Sequence, residues 1–213
     1  MRNHPPRPGV LLSGGRSSRM GRPKALLPFG SHRLIDHVAA RLAPQVDSIA
    51  INANDPDIDL PGAPAFPDLT PDFQGPLAGL QAALSYVART CPDAAHAAVI
   101  TVDSPFFPLD LFDQLAETLE DDDVVALAAS NGRMHPVTGL WPVSILPALN
   151  AWMAAPPTLK VRAFLEDKPV RVVNFDATVT AAGVIDPFFN INTPEDLDMA
   201  LRHLGAGSPE GSH

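Results

Sequence analysis

Short apolar strands alternate with amphipathic helices along most of the chain. The clearest strand, residues 97–102, reads AAVITV and is typical of a parallel strand that is buried on both faces. Residues 10–12 form a similar apolar run, which ends at a Ser-Gly-Gly turn. The alternation predicts an α/β fold with a single open, mostly parallel twisted sheet and helices on both of its faces.

The other predicted elements continue this alternation. We predict strands at 48–53, 63–66, 124–129, 137–141 and 170–175, and helices over about 32–43, from Pro76, from Leu111, at 143–154 and at 158–166. Thr193, Pro194 and Asp196 fit the start of a final helix, with an N-cap, a first-turn proline and a capping acid. Ligands of open α/β sheets bind at the carboxyl ends of the strands, where we expect loops 13–24 and 103–108 to meet.

Length and composition favour one globular domain. The chain has 213 residues, of which 46% are hydrophobic and 18% charged. We expect a flexible N-terminus over 1–8, one domain over 9–204 and a disordered tail over 205–213.

Charge and cysteine content exclude several classes of protein. The formal net charge of −9 argues against a general nucleic-acid binder. No apolar run reaches the ~18 residues of a membrane span, and the basic N-terminus lacks the apolar core of a signal peptide. Cys91 is the only cysteine, which favours a reducing compartment, and we expect a cytoplasmic protein.

The glycine-rich segment after the first strand carries the strongest functional signal. Residues 12–24 read LSGGRSSRMGRPK, in which glycines let the backbone approach a ligand and successive N–H groups can surround an anion. The segment adds four positive charges, on Arg16, Arg19, Arg22 and Lys24. Its spacing matches neither a Walker A loop nor G-x-G-x-x-G. We interpret it as a phosphate-binding loop, the structural alternative being a solvated basic turn.

This segment resembles the L-[AS]-[AG]-G-x-x-x-R-M-G-x-x-K signature of a nucleotidyltransferase superfamily. More narrowly, the chain from Gly9 to about Leu201 is similar to the MobA family of molybdenum cofactor guanylyltransferases. Four further matches follow in the same order: INAN at 51–54, GPLAGL at 75–80, VDSPFFP at 102–108 and FNINTPEDL at 189–197. The resemblance implies a Rossmann-like nucleotidyltransferase fold.

The resemblance also implies a role for each matched residue. Arg19, Lys24 and Asp103 are the implied catalytic residues: the first two hold a triphosphate and Asp103 holds Mg²⁺. The implied nucleotide-binding residues are Leu12, Ser13, Gly14, Gly15, Lys24, Asn52, Asp68, Gly75, Gly79 and Asp103. The implied acceptor-binding residues are Lys160, Arg162, Asn190 and Asn192.

Two acidic residues suit the chemistry that the resemblance implies. Asp103 follows the most apolar strand, and its carboxylate is the kind of hard oxygen ligand that Mg²⁺ takes together with substrate phosphates. Its structural alternative is an N-cap for a helix over 104–119. The Asp68 carboxylate can accept hydrogen bonds from the N1–H and N2–H of guanine, and a turn residue is the alternative.

The remaining site positions also have structural alternatives. Asn190 and Asn192 alternate on an extended segment and therefore face one side, but they could instead bond only the entry of the following helix. Asn52 could be a strand-end cap. Gly75 and Gly79 lie one helical turn apart, where they admit either a substrate or tight helix–sheet packing.

The resemblance therefore implies a Mg²⁺-dependent guanylyltransferase with GTP and molybdopterin as substrates and pyrophosphate as a product. Transient contacts with other molybdenum-cofactor proteins and with the receiving apoenzymes are expected. The alternatives are a cytidylyltransferase that acts on the same pterin, another small-molecule nucleotidyltransferase, or a non-catalytic nucleotide-binding regulator. Gly14 and GPLAGL favour the guanylyl reaction over the cytidylyl one, and Lys24 together with Asp103 favours an enzyme over a regulator.

Overall fold

A computed structural model describes residues 5–14, 22–70, 75–156 and 158–205. Its strands are β1 (Pro8–Leu12), β2 (Pro28–Phe29), β3 (His32–Arg33), β4 (Ser48–Asn52), β5 (Ala65–Phe66), β6 (His96–Thr101), β7 (Val125–Ser130), β8 (Arg133–Pro142), β9 (Val170–Asn174), β10 (Thr178–Thr180) and β11 (Gly183–Ile185). Its α-helices are α1 (Leu34–Leu42), α2 (Pro76–Thr90), α3 (Leu111–Ala116), α4 (Leu146–Ala154), α5 (Val161–Phe164) and α6 (Pro194–Gly205).

The central sheet has seven strands in the order β5-β4-β1-β6-β8-β7-β9. Neighbouring strands of this sheet are parallel, except that β8 runs antiparallel to both β6 and β7. The predicted single, mostly parallel sheet is confirmed. Because β4 lies on one side of β1 and β6 on the other, the chain reverses its direction of winding at β1. Such a topological switch point is where α/β proteins bind ligands.

Helices cover both faces of the sheet, as predicted. Leu11 of β1 belongs to the apolar cluster formed with α1, α3 and α6, whereas its neighbours Val10 and Leu12 pack with α2, α4 and α5. The residues predicted to form the apolar face of the first helix are all fully buried: Leu34, Ile35, Val38 and Leu42. Burial of each such side chain stabilises the fold by about 1.5–3 kcal/mol.

A hairpin introduces the antiparallel strand. Asn131 and Gly132 both have positive φ, 49° and 72°, and form the two-residue turn between β7 and β8. The second strand of this hairpin is longer than the predicted 137–141, since β8 extends from Arg133 to Pro142. The small hairpins β2–β3 and β10–β11 were not predicted either.

The helices differ from the prediction in two places. The helix α5 is confined to Val161–Phe164, although the sequence pattern predicted 158–166. The helix α3 begins only at Leu111, with Asp110 at its N-cap position, so the alternative of Asp103 as a helix N-cap is wrong. In the part of the chain that the structure describes, no helix combines the length and the apolar character that crossing a membrane requires.

The folded part extends slightly beyond 9–204 at both ends. Pro8 is the first residue of β1, and Arg7 Nη1 donates to Asp113 Oδ1 at 2.6 Å. At the other end α6 continues to Gly205, and the predicted tail from residue 206 lies outside the described residues. The capping box of α6 is confirmed, because Thr193 N–H donates to Asp196 Oδ2 and Asp196 N–H donates back to Thr193 Oγ1.

Three partly or fully buried histidines should make stability depend on pH. Burial is the main cause that lowers the pKa of His37, His96 and His135 below the ordinary 6.5. An unfolded chain then binds protons below pH 6.5 that the folded chain does not. We therefore expect no loss of stability from these histidines above pH 6.5 and a progressive loss as the pH falls below 6.5, at up to about 1.4 kcal/mol per pH unit for each proton.

Urea unfolding at pH 7.5, 6.5 and 5.5 measures this dependence. His96→Gln is the control, because its Nε2 can still donate to the Val124 carbonyl, which His96 Nε2 contacts at 3.0 Å, but it does not titrate. The free energy of unfolding of this variant should fall less steeply as the pH falls. Equal slopes in the variant and the wild type would contradict the assignment of His96.

Candidate active site

Three predicted site residues converge at the carboxyl end of the central strands. Lys24 begins a short 3-10 helix, Asp103 follows β6 and Asn192 precedes α6. Lys24 Nζ donates to Asp103 Oδ2 at 3.1 Å and to Asn192 Oδ1 at 2.7 Å, across 79 and 168 positions of the sequence. The Lys24 and Asp103 side chains are each 20% exposed, so their attraction is less screened than that of a surface pair, which contributes about 0–1 kcal/mol.

The Asp103 carboxylate fits a role as a metal ligand. Its Oδ1 is buried and accepts no hydrogen bond from the described residues, while Oδ2 faces Lys24. A buried acceptor without a partner costs free energy, and a hard cation would satisfy this oxygen. Among the described residues, no group of three or more His, Cys, Asp or Glu is arranged so that it could hold a metal ion. One carboxylate nevertheless suits Mg²⁺, which takes its other oxygen ligands from phosphates and water.

Residues 190–192 lie directly against the loop that carries Asp103. Ile191 N–H donates to the Asp103 carbonyl at 2.9 Å, and Ser104 Oγ donates to Asn190 Oδ1 at 2.7 Å. The side chains of Asn190 and Asn192 therefore contact the Asp103 loop and Lys24. The alternative, in which these side chains bond only the entry of α6, is wrong. At that entry the backbone N–H groups of Asn192 and Thr193 donate to Asp196. The contribution of Ser104 was missed, although it lies inside the VDSPFFP match.

The Asp68 carboxylate is oriented by two asparagine side chains. Asn52 Nδ2 donates to Asp68 Oδ1 at 3.0 Å, and Asn54 Nδ2 donates to Asp68 Oδ2 at 2.8 Å. Asp68 N–H in turn donates to Asn54 Oδ1 at 2.8 Å. Each carboxylate oxygen retains the capacity to accept a further hydrogen bond. Asn54 was not predicted as a site residue, although the INAN match contains it.

Gly79 makes room for Asn52. A Cβ atom at Gly79 would lie 2.8 Å from Asn52 Oδ1 and 3.5 Å from Leu12 Cδ1, so a larger residue would displace the buried amide. The alternative prediction for Gly79, tight packing of the helix on the sheet, is therefore confirmed, and this packing positions Asn52, a predicted nucleotide-binding residue. Gly75 precedes Pro76 at the N-terminus of α2 with φ of 71°, a conformation that favours glycine.

The glycine-rich loop is described only in part. The Leu12 carbonyl accepts from Val102 N–H at 3.0 Å, and Ser13 N–H donates to the Asn52 carbonyl at 2.9 Å. Ser13 Oγ is buried and has no hydrogen-bond partner in the described ranges. A Cβ at Gly14 would meet no described atom within 4 Å. Gly15, Arg16 and Arg19 lie outside the described residues, so the phosphate-binding role of this loop stays a prediction.

The two basic residues of the predicted acceptor set belong to helix α5 and its N-cap. Lys160 occupies the N-cap position of α5, and Arg162 Nη2 donates to the Met134 carbonyl near the start of β8 at 3.2 Å. No hydrogen bond between described residues joins either side chain to the cluster of Lys24, Asp103 and Asn192. The structure therefore does not bring these two basic residues into that cluster.

A network of hydrogen bonds around Asp186 holds the segment that leads to Asn190. Asp186 was not predicted as a site residue. Ser130 Oγ donates to Asp186 Oδ1 at 2.7 Å, and Phe188 N–H donates to the same oxygen at 2.8 Å. Asn131 Nδ2 donates to Asp186 Oδ2. Burial raises the pKa of Asp186, but these hydrogen bonds outweigh it and hold the pKa below its usual value. Because the Ser130 hydroxyl donates to Asp186, His135 Nε2, 2.8 Å away, must donate to Ser130 Oγ.

Comparison with known proteins connects this geometry to a family. A profile described as MobA-like NTP transferase domain matches residues 9–172. The molybdenum cofactor guanylyltransferase of Rhizobium rhizogenes is 46% identical over 200 residues, which cover 93% of each chain.

Solved structures share the fold. The molybdopterin-guanine dinucleotide biosynthesis protein A of Archaeoglobus fulgidus is similar with a TM-score of 0.70 and 20% identity, covering 93% of this chain and 98% of its own. Rv0371c of Mycobacterium tuberculosis, in complex with manganese, has a TM-score of 0.59 and 18% identity, with 92% and 97% covered. At these identities the two structures support the architecture alone.

Proposed function

Because the chain belongs to the MobA-like NTP transferase family, we propose that it transfers GMP from GTP to the phosphate of molybdopterin, with release of pyrophosphate. The product is a molybdopterin guanine dinucleotide. The observation that carries the proposal is the ion pair of Lys24 with Asp103, whose second carboxylate oxygen is buried without a partner among the described residues. Identity of 46% to a molybdenum cofactor guanylyltransferase supports the choice of substrates.

The reaction needs positioned charge rather than a protein nucleophile. An oxygen of the acceptor phosphate forms a bond to the α-phosphorus of GTP, and the bond from that phosphorus to the β-phosphate oxygen breaks, so pyrophosphate leaves. Lys24, together with Arg19 of the glycine-rich loop, binds the triphosphate. Asp103 holds Mg²⁺, which when bound neutralises negative charge on the phosphates. Positioning and electrostatic stabilisation supply most of the catalysis in phosphoryl transfer.

The base and the acceptor bind different residues of the site. The Asp68 carboxylate, fixed by Asn52 and Asn54, accepts from the N1–H and N2–H of guanine. Cytosine has one donor group at this edge, N4–H₂, beside the acceptors N3 and O2, so it cannot pair with both carboxylate oxygens as the N1–H and N2–H of guanine do. Asn190 and Asn192 face the acceptor. Lys160 and Arg162, which no hydrogen bond between described residues joins to the cluster of Lys24, Asp103 and Asn192, attract the acceptor phosphate through their charge rather than bind it beside Asp103.

We place the reaction in the cytoplasm, the kind of reducing compartment that a chain with one cysteine favours. The product is a cofactor, so transient contacts with other molybdenum-cofactor proteins and with the receiving apoenzymes follow.

Selectivity for GTP over CTP tests the proposed base recognition. We expect at least tenfold tighter binding of GTP than of CTP, ATP or UTP, because an unpaired buried polar group in the wrong complex costs about 1–3 kcal/mol. The measurement is calorimetric titration of the protein with each nucleotide in the presence of Mg²⁺.

Asp68→Leu should remove most of the GTP preference, whereas Asp57→Leu, at an exposed turn, should keep it. Equal or tighter binding of CTP by the wild-type protein would contradict the guanylyl assignment and favour the cytidylyl reaction.

A further inference from the structure

We propose that helix α1 positions Asp103. Three side chains of this helix and its continuation hold residues 105–108, the loop that follows Asp103. His37, Arg41 and Gln45 are spaced four residues apart along α1 and the 3-10 helix that continues it, so they lie along one face. Each donates a hydrogen bond to a carbonyl of residues 105–108. We call these three residues the α1 stripe. The inference rests on the proposed metal-binding role of Asp103.

The hydrogen bonds of the α1 stripe follow the order of the chain. His37 Nε2 lies 3.0 Å from the Pro105 carbonyl, and Nε2 is the donor because a carbonyl has no proton to give. Arg41 donates to the Phe107 carbonyl from Nε at 3.1 Å and from Nη2 at 2.6 Å. Gln45 Nε2 donates to the Pro108 carbonyl at 3.0 Å. One helix face therefore fixes the position of three carbonyls in the loop.

Arg41 argues for a role beyond packing. No carboxylate pairs with its guanidinium within the described ranges; its partners are the Phe107 carbonyl and the Phe107 ring, 5.6 Å from Cζ. Burial lowers the pKa of Arg41, which reflects the cost of placing a charge away from water. An aliphatic side chain would fill the same space without this cost. The advantage of arginine at this position is therefore the pair of hydrogen bonds that it donates to the Phe107 carbonyl.

Gln45 extends the attachment into the next helix. Its side chain is almost fully buried, at 3% exposed, and its Oε1 accepts from Phe112 N–H at 3.1 Å. That N–H lies in the first turn of α3, where backbone donors lack helical partners. Gln45 therefore binds both the end of the loop and the start of the helix that follows the loop.

Asp103 thus lies in a segment that is anchored from two directions. The α1 stripe holds residues 105–108 on one side, and Ile191 N–H bonds the Asp103 carbonyl on the other. The carboxylate of Asp103 has no described donor on Oδ1, so its orientation toward a cation depends on the backbone that carries it. A displacement of about 1 Å at such a position is enough to weaken binding and slow turnover strongly.

The test measures metal affinity separately from turnover. Binding of Mn²⁺ is titrated by electron paramagnetic resonance with GTP present and the acceptor absent, so that no product forms. Arg41→Ala should raise the dissociation constant of Mn²⁺ at least fivefold, and the affinity for GTP without metal should stay within twofold. Arg89→Ala is the matched control, since Arg89 also lies over an aromatic ring, that of Tyr86, but is exposed at the end of α2.

A second pair of variants keeps the test decisive if Arg41→Ala does not fold. His37→Gln retains a donor at the reach of Nε2, whereas His37→Leu fills the space without one. We expect weaker Mn²⁺ binding in His37→Leu and a return to within twofold of wild type in His37→Gln. Unchanged Mn²⁺ affinity in every folded variant of the α1 stripe, with Asp103→Asn still impaired, would overturn this inference alone. Unchanged affinity in Asp103→Asn would overturn the metal site itself.

Discussion

Asp103→Asn is expected to lower kcat/KM for guanylyl transfer at least a hundredfold while the fold persists. The amide keeps the shape of the side chain but lacks the charge that holds Mg²⁺. In the wild-type protein Asp103 Oδ1 is buried and no described donor satisfies it, so this oxygen is available to a cation. Lys24 Nζ, 3.1 Å from Asp103 Oδ2, also loses its anionic partner in the variant. A hundredfold loss corresponds to about 2.7 kcal/mol of transition-state stabilisation.

Steady-state transfer at limiting Mg²⁺ measures this effect. Asp121→Asn is the control, because Asp121 is exposed just before β7, at the opposite end of the parallel strands, and the substitution removes the same charge. Its activity should stay within twofold of wild type. Near wild-type transfer by Asp103→Asn would contradict the metal-binding role of Asp103.

Lys24→Ala is expected to reduce kcat/KM at least tenfold, about 1.4 kcal/mol of transition-state stabilisation. The chain carries a net charge of −9, so a triphosphate is repelled at long range and depends on local cations. Lys24 is the cation at which Asp103 and Asn192 meet, and it is only 20% exposed. A point charge in this setting contributes more than one at the surface.

Lys168→Ala provides the matched control for this substitution. Lys168 pairs with the exposed Asp167 and lies over the Phe164 ring, away from the cluster of Lys24, Asp103 and Asn192. Both variants lose one positive charge, so a general effect of net charge would appear in both. Equal activities of the two variants, within twofold of each other, would mean that Lys24 belongs to a solvated basic turn.

Local apolar patterns predicted most of the central elements. Leu34, Ile35, Val38 and Leu42 marked the buried face of α1 because helical spacing places them on one side. The direction of β8 was not predicted, since an apolar run looks the same in parallel and antiparallel strands. Asn131-Gly132 carried the missing signal, because this pair between two apolar runs is typical of a hairpin turn.

The site was predicted less completely, because its partners are distant in sequence. Spacing alone does not place Lys24 beside Asn192, 168 positions away. The resemblance supplied both residues, but the rule on carboxyl ends of strands predicted only that the loops of Lys24 and Asp103 meet. Asn54 bonds Asp68, 14 positions away, and Asp186 accepts from the side chains of Ser130 and Asn131, 56 and 55 positions away, which no local pattern reveals. Arg41 lies outside the apolar face of α1, and the sequence pattern of an amphipathic helix does not distinguish it from any other polar residue.

Release of pyrophosphate that depends on the acceptor tests the central proposal most directly. The wild-type protein is incubated with GTP and Mg²⁺, with and without molybdopterin, and pyrophosphate and the mass of the product are measured. We expect release only with both substrates, in a one-to-one ratio to a product that is heavier than molybdopterin by one guanylyl group. Binding of GTP without acceptor-dependent release of pyrophosphate would contradict the account and favour a non-catalytic nucleotide-binding regulator.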